Sequence, residues 1–140
     1  MITYSKLIRE DSKDLVRLLK QLTEKEFRFD IDELLGNRNF FTVVAEDNGR
    51  LIGYGSISFY RAVVKGLTGV IEDIVVDRGY RGKGIGTEIV VRLVAEAKRR
   101  GARMIVLTSN PKNANRLNAI KIYKALGFEP RDTIFFQMKL

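Results

Sequence analysis

The positions of apolar residues along the chain separate helical segments from strands. Within residues 12–23, four leucines recur at the spacing of one helical face, which predicts a helix there. A longer amphipathic repeat predicts a helix over residues 85–100, and Gly101 ends it. Shorter helices are predicted over residues 31–35 and 113–126. Segments rich in β-branched and aromatic residues predict strands at 2–8, 40–46, 51–60, 69–76, 103–108 and 134–140.

The order of these elements predicts a mixed sheet. Residues 47–50, Asp-Asn-Gly-Arg, are typical of a tight hairpin turn, so the strands on either side should be antiparallel. The helix over 85–100 joins the strands at 69–76 and 103–108, and a connection of this kind places two strands parallel. We therefore expect one domain over residues 1–140, of the α/β or α+β class, with helices on both faces of the sheet.

Composition narrows the chemistry that this chain can perform. It contains no cysteine and no histidine. Disulfide scaffolds, thiolate nucleophiles, Ser-His-Asp triads and the usual zinc sites are therefore excluded. Any catalysis must use carboxylates, tyrosine, lysine, Ser or Thr hydroxyls, backbone amides and a borrowed cofactor, and we expect no metal.

The first ten residues lack the apolar core of a signal sequence, and no run approaches the ~18–20 apolar residues of a membrane span. We therefore expect a soluble, cytoplasmic protein that does not associate with a membrane.

The positive charge is concentrated in the second half of the chain. The formal net charge is +8, and residues 71–140 contribute +7 of it. This excess favours an anionic partner, which could be a phosphorylated cofactor, a phosphorylated substrate or nucleic acid, although it could also serve only to solubilise the surface. Nucleic acid is the weaker interpretation, because residues 78–131 contain only three aromatic side chains to stack on bases.

A glycine-rich segment over residues 81–87, Arg-Gly-Lys-Gly-Ile-Gly-Thr, follows a predicted strand and opens a predicted helix. Glycines let backbone amides approach a ligand closely, and a helix N-terminus offers free N–H groups with a partial positive charge. This combination favours a phosphate or pyrophosphate site. It is not a Walker A loop, because Gly84 follows Lys83, and it lacks the last glycine of the dinucleotide-binding pattern, because Thr87 stands there.

The segment Ile-Glu-Asp-Ile-Val-Val at 71–76, followed by Tyr-Arg-Gly-Lys-Gly-Ile-Gly at 80–86, resembles the acetyl-CoA motif of GCN5-related N-acetyltransferases. The family loop reads Arg/Gln-x-x-Gly-x-Gly/Ala, which Arg81, Gly84 and Gly86 match. Downstream, residues 123–128 are similar to the family's Tyr-x-x-x-Gly-Phe. The resemblance covers essentially the whole chain and implies the family fold, a mixed and mostly antiparallel sheet flanked by helices with a central parallel β-α-β unit.

The resemblance also implies where acetyl-CoA binds as co-substrate. The pyrophosphate would lie on the loop residues Arg81, Gly82, Lys83, Gly84, Ile85, Gly86 and Thr87. The pantetheine arm would pair with the strand edge of Ile74 and Val76, and amides near Ile74, Val75 and Val76 would polarise the thioester carbonyl. Family members often place an Asn on the pantetheine beyond the next strand. Asn110 is the first candidate for that contact and Arg116 the second.

Two side chains are implied in catalysis. Tyr123 matches the family's general acid, which protonates the departing thiolate, although its helical face also predicts a core aromatic. Glu72 is the leading candidate for the base that takes the proton of the amine, with Asp73 as the alternative. In a regular strand Glu72 and Ile74 share one face and Asp73 the other, so only one carboxylate should face the cleft. Either carboxylate could instead bind substrate or form a structural ion pair.

The function implied is direct transfer of acetyl from acetyl-CoA to a primary amine in a ternary complex. The acceptor could be an amino sugar phosphate, a small amine or a protein amine, and the alternative function is a non-catalytic acyl-CoA-binding or sensor module. Residues 27–41 and 61–67 are expected to wall the acceptor site. Their cations (Arg28, Arg38, Arg61, Lys65) suit an anionic acceptor, whereas their acids (Asp30, Asp32, Glu33) suit a polyamine or a peptide amine. The apolar strand at 134–140 could extend a dimer sheet or complete the core.

Overall fold

The computed structural model describes residues 1–109 and 114–140, with side chains of the last helix described from residue 119 onward. The described chain forms two compact units, residues 1–108 and residues 109–140. The first unit contains the sheet and three of the described helices, and the second contains the last helix and the C-terminal segment.

Five strands form one sheet in the order β1-β2-β3-β4-β5. Strands β1 to β4 are successively antiparallel to one another, whereas β4 and β5 are parallel. This arrangement confirms the predicted mixed sheet. Strands β3 and β4 extend beyond the predicted segments 51–60 and 69–76, because the hairpin that joins them continues past the last buried residue. The strands are β1 Ile2–Ser5, β2 Phe40–Asp47, β3 Arg50–Ala62, β4 Gly66–Val76 and β5 Met104–Leu107.

Helices cover both faces of this sheet, as predicted. They are α1 Ser12–Leu19, α2 Ile31–Gly36 and α3 Ile85–Arg99, all in the first unit. The second unit contains α4 Ala114–Ala125. Helix α3 lies so close to β3 that a Cβ added to Gly55 would stand 2.6 Å from Ile89 Cγ2. In the described part of the chain, no helix is both long and apolar enough to cross a bilayer. The expected cytoplasmic location stays a prediction.

The opposite face of the sheet packs against α1 and α2. Leu15 and Leu18 of α1 are buried in a cluster with Tyr54 of β3 and Val75 of β4. The start of α2 joins this cluster through Ile31. The residues around α2 therefore lie on the same face of the sheet as Tyr54 and Val75.

The predicted final strand over 134–140 is wrong, because those residues form no helix or strand in the structure. Phe135 and Phe136 are 75% and 85% exposed. A strand requires a hydrogen-bonded neighbour, and apolar alternation alone does not supply one. The prediction that this segment extends a dimer sheet remains untested.

Candidate active site

A β-bulge interrupts β4 at the two carboxylates that the sequence singled out. Asp73 and Ile74 of β4 together stand opposite the single residue Gly55 of β3. Asp73 has a φ of +57°, in the left-handed region that non-glycine residues rarely adopt. Just before the bulge, the Ser56 hydroxyl donates to the carbonyl oxygen of Glu72 at 3.1 Å. The extra residue bends the strand and re-aims the side chains that follow it.

The bulge overturns the prediction that Glu72 and Ile74 share a face. Ile74 Cδ1 lies 2.5 Å from the position of a Cβ added to Gly55, on the side of α3. Glu72 stands opposite Ser56, which alternates with Gly55 and therefore points away from α3. Val75 is buried with α1 on that second face. The prediction assumed strict two-residue alternation, which one inserted residue breaks.

Burial raises the pKa values of both carboxylates on the bulge. Partial burial raises the pKa of Glu72, and the negative charge of Asp73 raises it further. Partial burial also raises the pKa of Asp73. The pKa of the Tyr54 phenol is raised to about 12, mainly by burial. A hydrogen bond with Ser56 lowers this pKa, and the negative charge of Asp73 raises it. Asp73 therefore acts electrostatically on both Glu72 and Tyr54, and the expectation that only one carboxylate faces the cleft stays a prediction.

Beyond the bulge, the outer edge of β4 is open. Pairing with β5 ends at Ile71 and Leu107, so within the first unit residues 72–76 have no paired strand on that side. The strands therefore part beside Glu72. A second extended chain could hydrogen-bond to this edge as an added strand.

The backbone directions along this edge follow from alternation. The N–H of Asp77 donates to the Ile52 carbonyl of β3 at 2.8 Å, and Val75 is paired with Tyr54. The backbone groups of Ile74 and Val76 therefore point to the open edge. Val75 does not, since its backbone faces β3 and its side chain is buried, so the structure brings two of the three predicted strand residues to this edge.

The glycine-rich loop follows immediately and ends in the N-terminus of α3. Gly84 precedes the helix with a φ of +82°, and a Cβ there would meet no atom within 4 Å. The first intrahelical bond is from the Glu88 N–H to the Gly84 carbonyl at 3.0 Å. The N–H groups of Ile85, Gly86 and Thr87 thus have no acceptor inside the helix. These amides and the positive end of a 15-residue helix form an anion site.

Two cations flank this anion site. The Arg81 Nε donates to the Val76 carbonyl at 2.9 Å, which folds the start of the loop against the open edge. Lys83 Nζ lies 5.2 Å from the centre of the Tyr80 ring. The Tyr80 hydroxyl in turn donates to Asp47 at 2.7 Å. The loop therefore carries its positive charges on side chains held by neighbouring elements.

A hydrogen-bond network that the sequence did not reveal holds the entry to the loop. Asp77 is 8% exposed and accepts hydrogen bonds from Arg17, Gln21 and the Gly79 N–H. Burial alone would raise the pKa of Asp77, but these donors lower it below its usual value. Gln21 also accepts from the backbone N–H of Arg78 at 3.0 Å. Residues just after α1 thus fix the residues that begin the loop, a contact across 57 positions that no local pattern indicates.

Replacing Gln21 tests this network. Gln21→Met removes both hydrogen bonds of Gln21 at the loop entry while keeping the side-chain length. At ~1 kcal/mol for each bond, we expect the KM for acetyl-CoA to rise by up to about 30-fold with kcat unchanged. Steady-state kinetics with varied acetyl-CoA measure both constants. Lys20→Met, at the exposed neighbouring position, is the control and should leave the KM unchanged. An unaltered KM in Gln21→Met would show that the loop does not depend on this network.

Tyr123 lies in α4 of the second unit. Its ring is half-buried and meets Phe128 edge-to-face, with 6.1 Å between ring centres. The backbone N–H of Phe128 donates to the Tyr123 carbonyl at 2.9 Å, which closes the helix end at Gly127. The Tyr-x-x-x-Gly-Phe segment is therefore a helix end whose two aromatic residues pack together, and its catalytic role stays a prediction.

The two predicted pantetheine contacts of the second unit cannot be placed. Asn110 lies outside the described residues. Arg116 falls within α4, but its side chain also lies outside the description. Both remain predictions.

Two of the cations expected around the acceptor, Arg61 and Lys65, lie toward the far end of β4 from Glu72. Arg61 pairs with Leu67, five residues before Glu72 and thus about 17 Å along β4, and Lys65 is further still. The Arg38 carbonyl accepts a hydrogen bond from Arg100, just beyond the C-terminal end of α3. The hairpin tip is at the other end of β4 from Glu72, so the prediction that residues 61–67 wall the acceptor site remains untested.

An open strand edge that runs directly into an anion-binding helix start defines a site for an extended donor that carries a diphosphate. That is the site of an acyl-CoA-dependent transferase. The bulge in β4 and the Asp77 network are the parts that sequence reasoning missed. Neither has a sequence signal, although the pair Glu72-Asp73 inside an apolar strand is itself unusual.

Comparison with known proteins agrees with this class. Residues 6–128 match the model of the Acetyltransferase (GNAT) family. The chain is 35% identical over 111 residues to glucosamine 6-phosphate N-acetyltransferase 1 of Oryza sativa, an alignment that covers 71% of this chain and 67% of the rice protein. It is 30% identical over 138 residues to thialysine N-epsilon-acetyltransferase of Mus musculus, with 84% of this chain and 78% of the mouse protein covered.

Solved structures show the same fold. A predicted acetyltransferase from Clostridium acetobutylicum, solved with acetyl-CoA, has a TM-score of 0.76 and 28% identity, with 99% of this chain and 96% of that chain covered. Two further curated relatives are covered over less of their length by their sequence alignments with this chain. The alignment spans 40% of the relative from Methanocaldococcus jannaschii and 60% of the relative from Trypanosoma brucei brucei.

The chain belongs to the acetyltransferase (GNAT) family. It is an acetyl-CoA-dependent N-acetyltransferase. The matches do not specify its acceptor, since the name of one relative gives glucosamine 6-phosphate and that of another gives thialysine.

Proposed function

We propose that this protein transfers the acetyl group of acetyl-CoA directly to a primary amine while both substrates are bound. The observation that carries the proposal is the continuity of the open edge of β4 with the N-terminus of α3. An acetyl-CoA whose thioester arm lies along that edge would place its pyrophosphate at the helix start, so a single extended ligand would occupy both the edge and the helix N-terminus. Without a cysteine in the chain, a thiol-linked acetyl-enzyme is not available, which favours direct transfer.

Donor binding uses the residues at this edge and loop. The outward backbone groups of Ile74 and Val76 pair with the amide groups of the pantetheine arm. Arg81 must release the Val76 carbonyl for that pairing, and its freed guanidinium then lies beside the incoming pyrophosphate. Amides of Ile85, Gly86 and Thr87 receive the pyrophosphate oxygens. An N–H on the open edge donates to the thioester carbonyl and stabilises the oxyanion that forms there.

Glu72 takes the proton that the amine must lose. The reacting nitrogen forms its bond to the acetyl carbon, the carbon–sulfur bond breaks, and the proton leaves for Glu72 directly or through water. The raised pKa of Glu72 supports this role, because a carboxylate whose pKa is raised toward neutrality accepts the proton of the amine more readily.

Tyr123 returns a proton to the sulfur. We expect Tyr123→Phe to lower kcat by about a hundredfold, the usual contribution of a general acid, with acetyl-CoA affinity within a few-fold of the native value. Single-turnover rates and calorimetric binding measure the two quantities. Tyr60→Phe, at a partly exposed tyrosine of the hairpin, is the matched control and should behave as native. Native turnover in Tyr123→Phe would remove Tyr123 from the reaction.

Calorimetry with acetyl-CoA, followed by thiol release with a panel of amines, tests the proposed function. Binding with thiol release that depends on an amine supports direct transfer. Binding without release for any amine favours a sensor that only binds acyl-CoA. Absence of binding would contradict the assignment of the edge and the loop.

A further inference from the structure

The backbone of Asp73 is held in a conformation that a strand does not ordinarily contain. Among the residues that the structure describes, Asn48 and Asp73 are the non-glycine residues with a positive φ. Asn48 lies in the tight turn between β2 and β3, where this conformation is usual, whereas Asp73 lies inside β4. Such a conformation persists only where the surrounding structure fixes it. A group outside Asp73 must therefore hold the bulge.

The side chain of Ser56 contacts the backbone at the point where the bulge begins. Its hydroxyl donates to the carbonyl oxygen of Glu72 at 3.1 Å, from the paired position on β3. That carbonyl belongs to the same planar peptide unit as the N–H of Asp73. The hydrogen bond therefore fixes the orientation of the peptide that leads into the left-handed residue.

Burial makes this hydrogen bond difficult to replace. Ser56 is 2% exposed, so water has almost no access to its hydroxyl. Removing a buried donor leaves its acceptor without that partner, which costs more than the loss of a hydrogen bond at the surface. The Ser56 hydroxyl can therefore offset the cost of the left-handed backbone at Asp73.

The two sides of the bulge are held in different ways. Beyond it, Val75 is paired with Tyr54, and the N–H of Asp77 donates to the carbonyl of Ile52 at 2.8 Å. This backbone pairing holds the part of β4 that contains the open edge. Before the bulge, pairing with β5 ends at Ile71, so within the first unit Glu72 has a paired strand on one side, β3.

We propose that Ser56 is a positioning residue for acetyl transfer, whose hydrogen bond to the Glu72 carbonyl holds the bulge in the conformation that places Glu72 at the reacting amine. This inference rests on the proposed function, in which Glu72 is the base. A base must lie within hydrogen-bond reach of the proton that it takes, so a small displacement of its backbone lowers the rate. Acetyl-CoA binds beyond the bulge, on an edge that is anchored independently of Ser56.

Ser56→Ala tests the position of the base. With the amine that gives the fastest thiol release in the panel above, we expect kcat/KM for that amine to fall about 30-fold. The calorimetric affinity for acetyl-CoA should stay within about threefold of the native value, because the donor edge keeps its backbone pairing. Ser56→Thr retains a hydroxyl and should recover most of the activity.

Thr68→Val is the matched control for the loss of a buried hydroxyl. Thr68 is buried in β4, and its hydroxyl donates to the Gly66 carbonyl at 3.3 Å, away from the bulge. This variant removes a comparable bond from the same strand. It should therefore keep the native kcat/KM for the amine.

A double-mutant cycle with Glu72→Gln separates positioning from a general loss of packing. If Ser56 acts through Glu72, adding Ser56→Ala to Glu72→Gln should change kcat/KM by less than about threefold, because the base is already absent. A merely structural role would produce the same 30-fold loss, roughly, in both backgrounds.

Backbone NMR provides a test that needs no acceptor. The chemical shifts and the amide–Hα coupling of Asp73 report its φ. They should indicate the left-handed conformation in the native protein and in Ser56→Thr, and should move toward extended values in Ser56→Ala.

The outcomes separate the role of Ser56 from the function on which it rests. Unaltered Asp73 signals or native kcat/KM in Ser56→Ala, an equal loss in Thr68→Val, or an equal loss in the Glu72→Gln background would each overturn it and leave acetyl transfer intact. Loss of acetyl-CoA binding in Ser56→Ala would also overturn it, since the donor edge would then depend on Ser56. Native activity in Glu72→Gln would instead contradict Glu72 as the base, and with it the step through which Ser56 acts.

Discussion

Gly84→Val should weaken acetyl-CoA binding about a hundredfold or more in a protein that remains folded. Gly84 immediately precedes α3 with a φ of +82°, and a Cβ there projects into open space. That space is where a pyrophosphate must lie to reach the amides of Ile85, Gly86 and Thr87. A valine therefore blocks the ligand and also pulls the backbone out of the conformation that aims those amides. Calorimetry with acetyl-CoA measures the loss.

A control variant separates backbone strain from ligand exclusion. Gly101→Val introduces the same residue at a φ of +78°, again with no atom within 4 Å, beyond the opposite end of α3. Both variants should lose a similar ~1–2 kcal/mol of stability, the cost of a left-handed non-glycine residue. Only Gly84→Val should lose the ligand. Native binding in Gly84→Val, or an equal loss in both variants, would show that the helix start does not hold the pyrophosphate.

Glu72→Gln should lower kcat/KM for the amine by about a hundredfold to a thousandfold, the range of a general base. In the native protein, activity should rise with pH as Glu72 ionises, and burial together with Asp73 moves that limb to a higher pH than an ordinary glutamate would give. The variant should lose this limb. A pH–rate profile of both proteins checks it, with Glu129→Gln, an exposed residue, as the control.

Stability gives an independent check on this variant. A carboxyl whose pKa is raised in the folded state binds protons more tightly folded than unfolded, so Glu72 contributes stability at low pH that is lost as pH rises through its folded pKa. Glutamine has no such dependence. Glu72→Gln should therefore unfold at pH 7 at the native temperature or above it while being far less active. A native pH profile in the variant would assign the proton to water or to Asp73.

Local patterns were sufficient for much of the fold. Periodicity predicted α3 to within one residue at its C-terminal end and predicted the antiparallel hairpins and the parallel pair of β4 and β5. The glycines of the loop indicated an anion site at the start of α3 because left-handed backbone conformations there require them. The family resemblance rested on the same residues, since loop and helix form one contiguous segment.

The final strand was predicted wrongly, and the predicted acceptor wall remains untested. Residues 134–140 have the apolar character of a strand, but a strand is defined by a partner, which pattern cannot supply. Likewise, Arg61 and Lys65 are near Glu72 in sequence but are separated from it by the length of β4.

By itself, the sequence determined most element types of the first unit, the mixed sheet and the glycine-rich loop at the start of α3, because each depends on residues close together along the chain. Only the tertiary structure decided the active-site face. The bulge at Asp73 breaks the alternation of side chains along β4, and the contacts of Gln21 with Asp77 and Arg78 fix the loop entry from the residues just after α1. Both arise from packing between strands and helices far apart in sequence, where a single inserted residue changes every direction that alternation would predict.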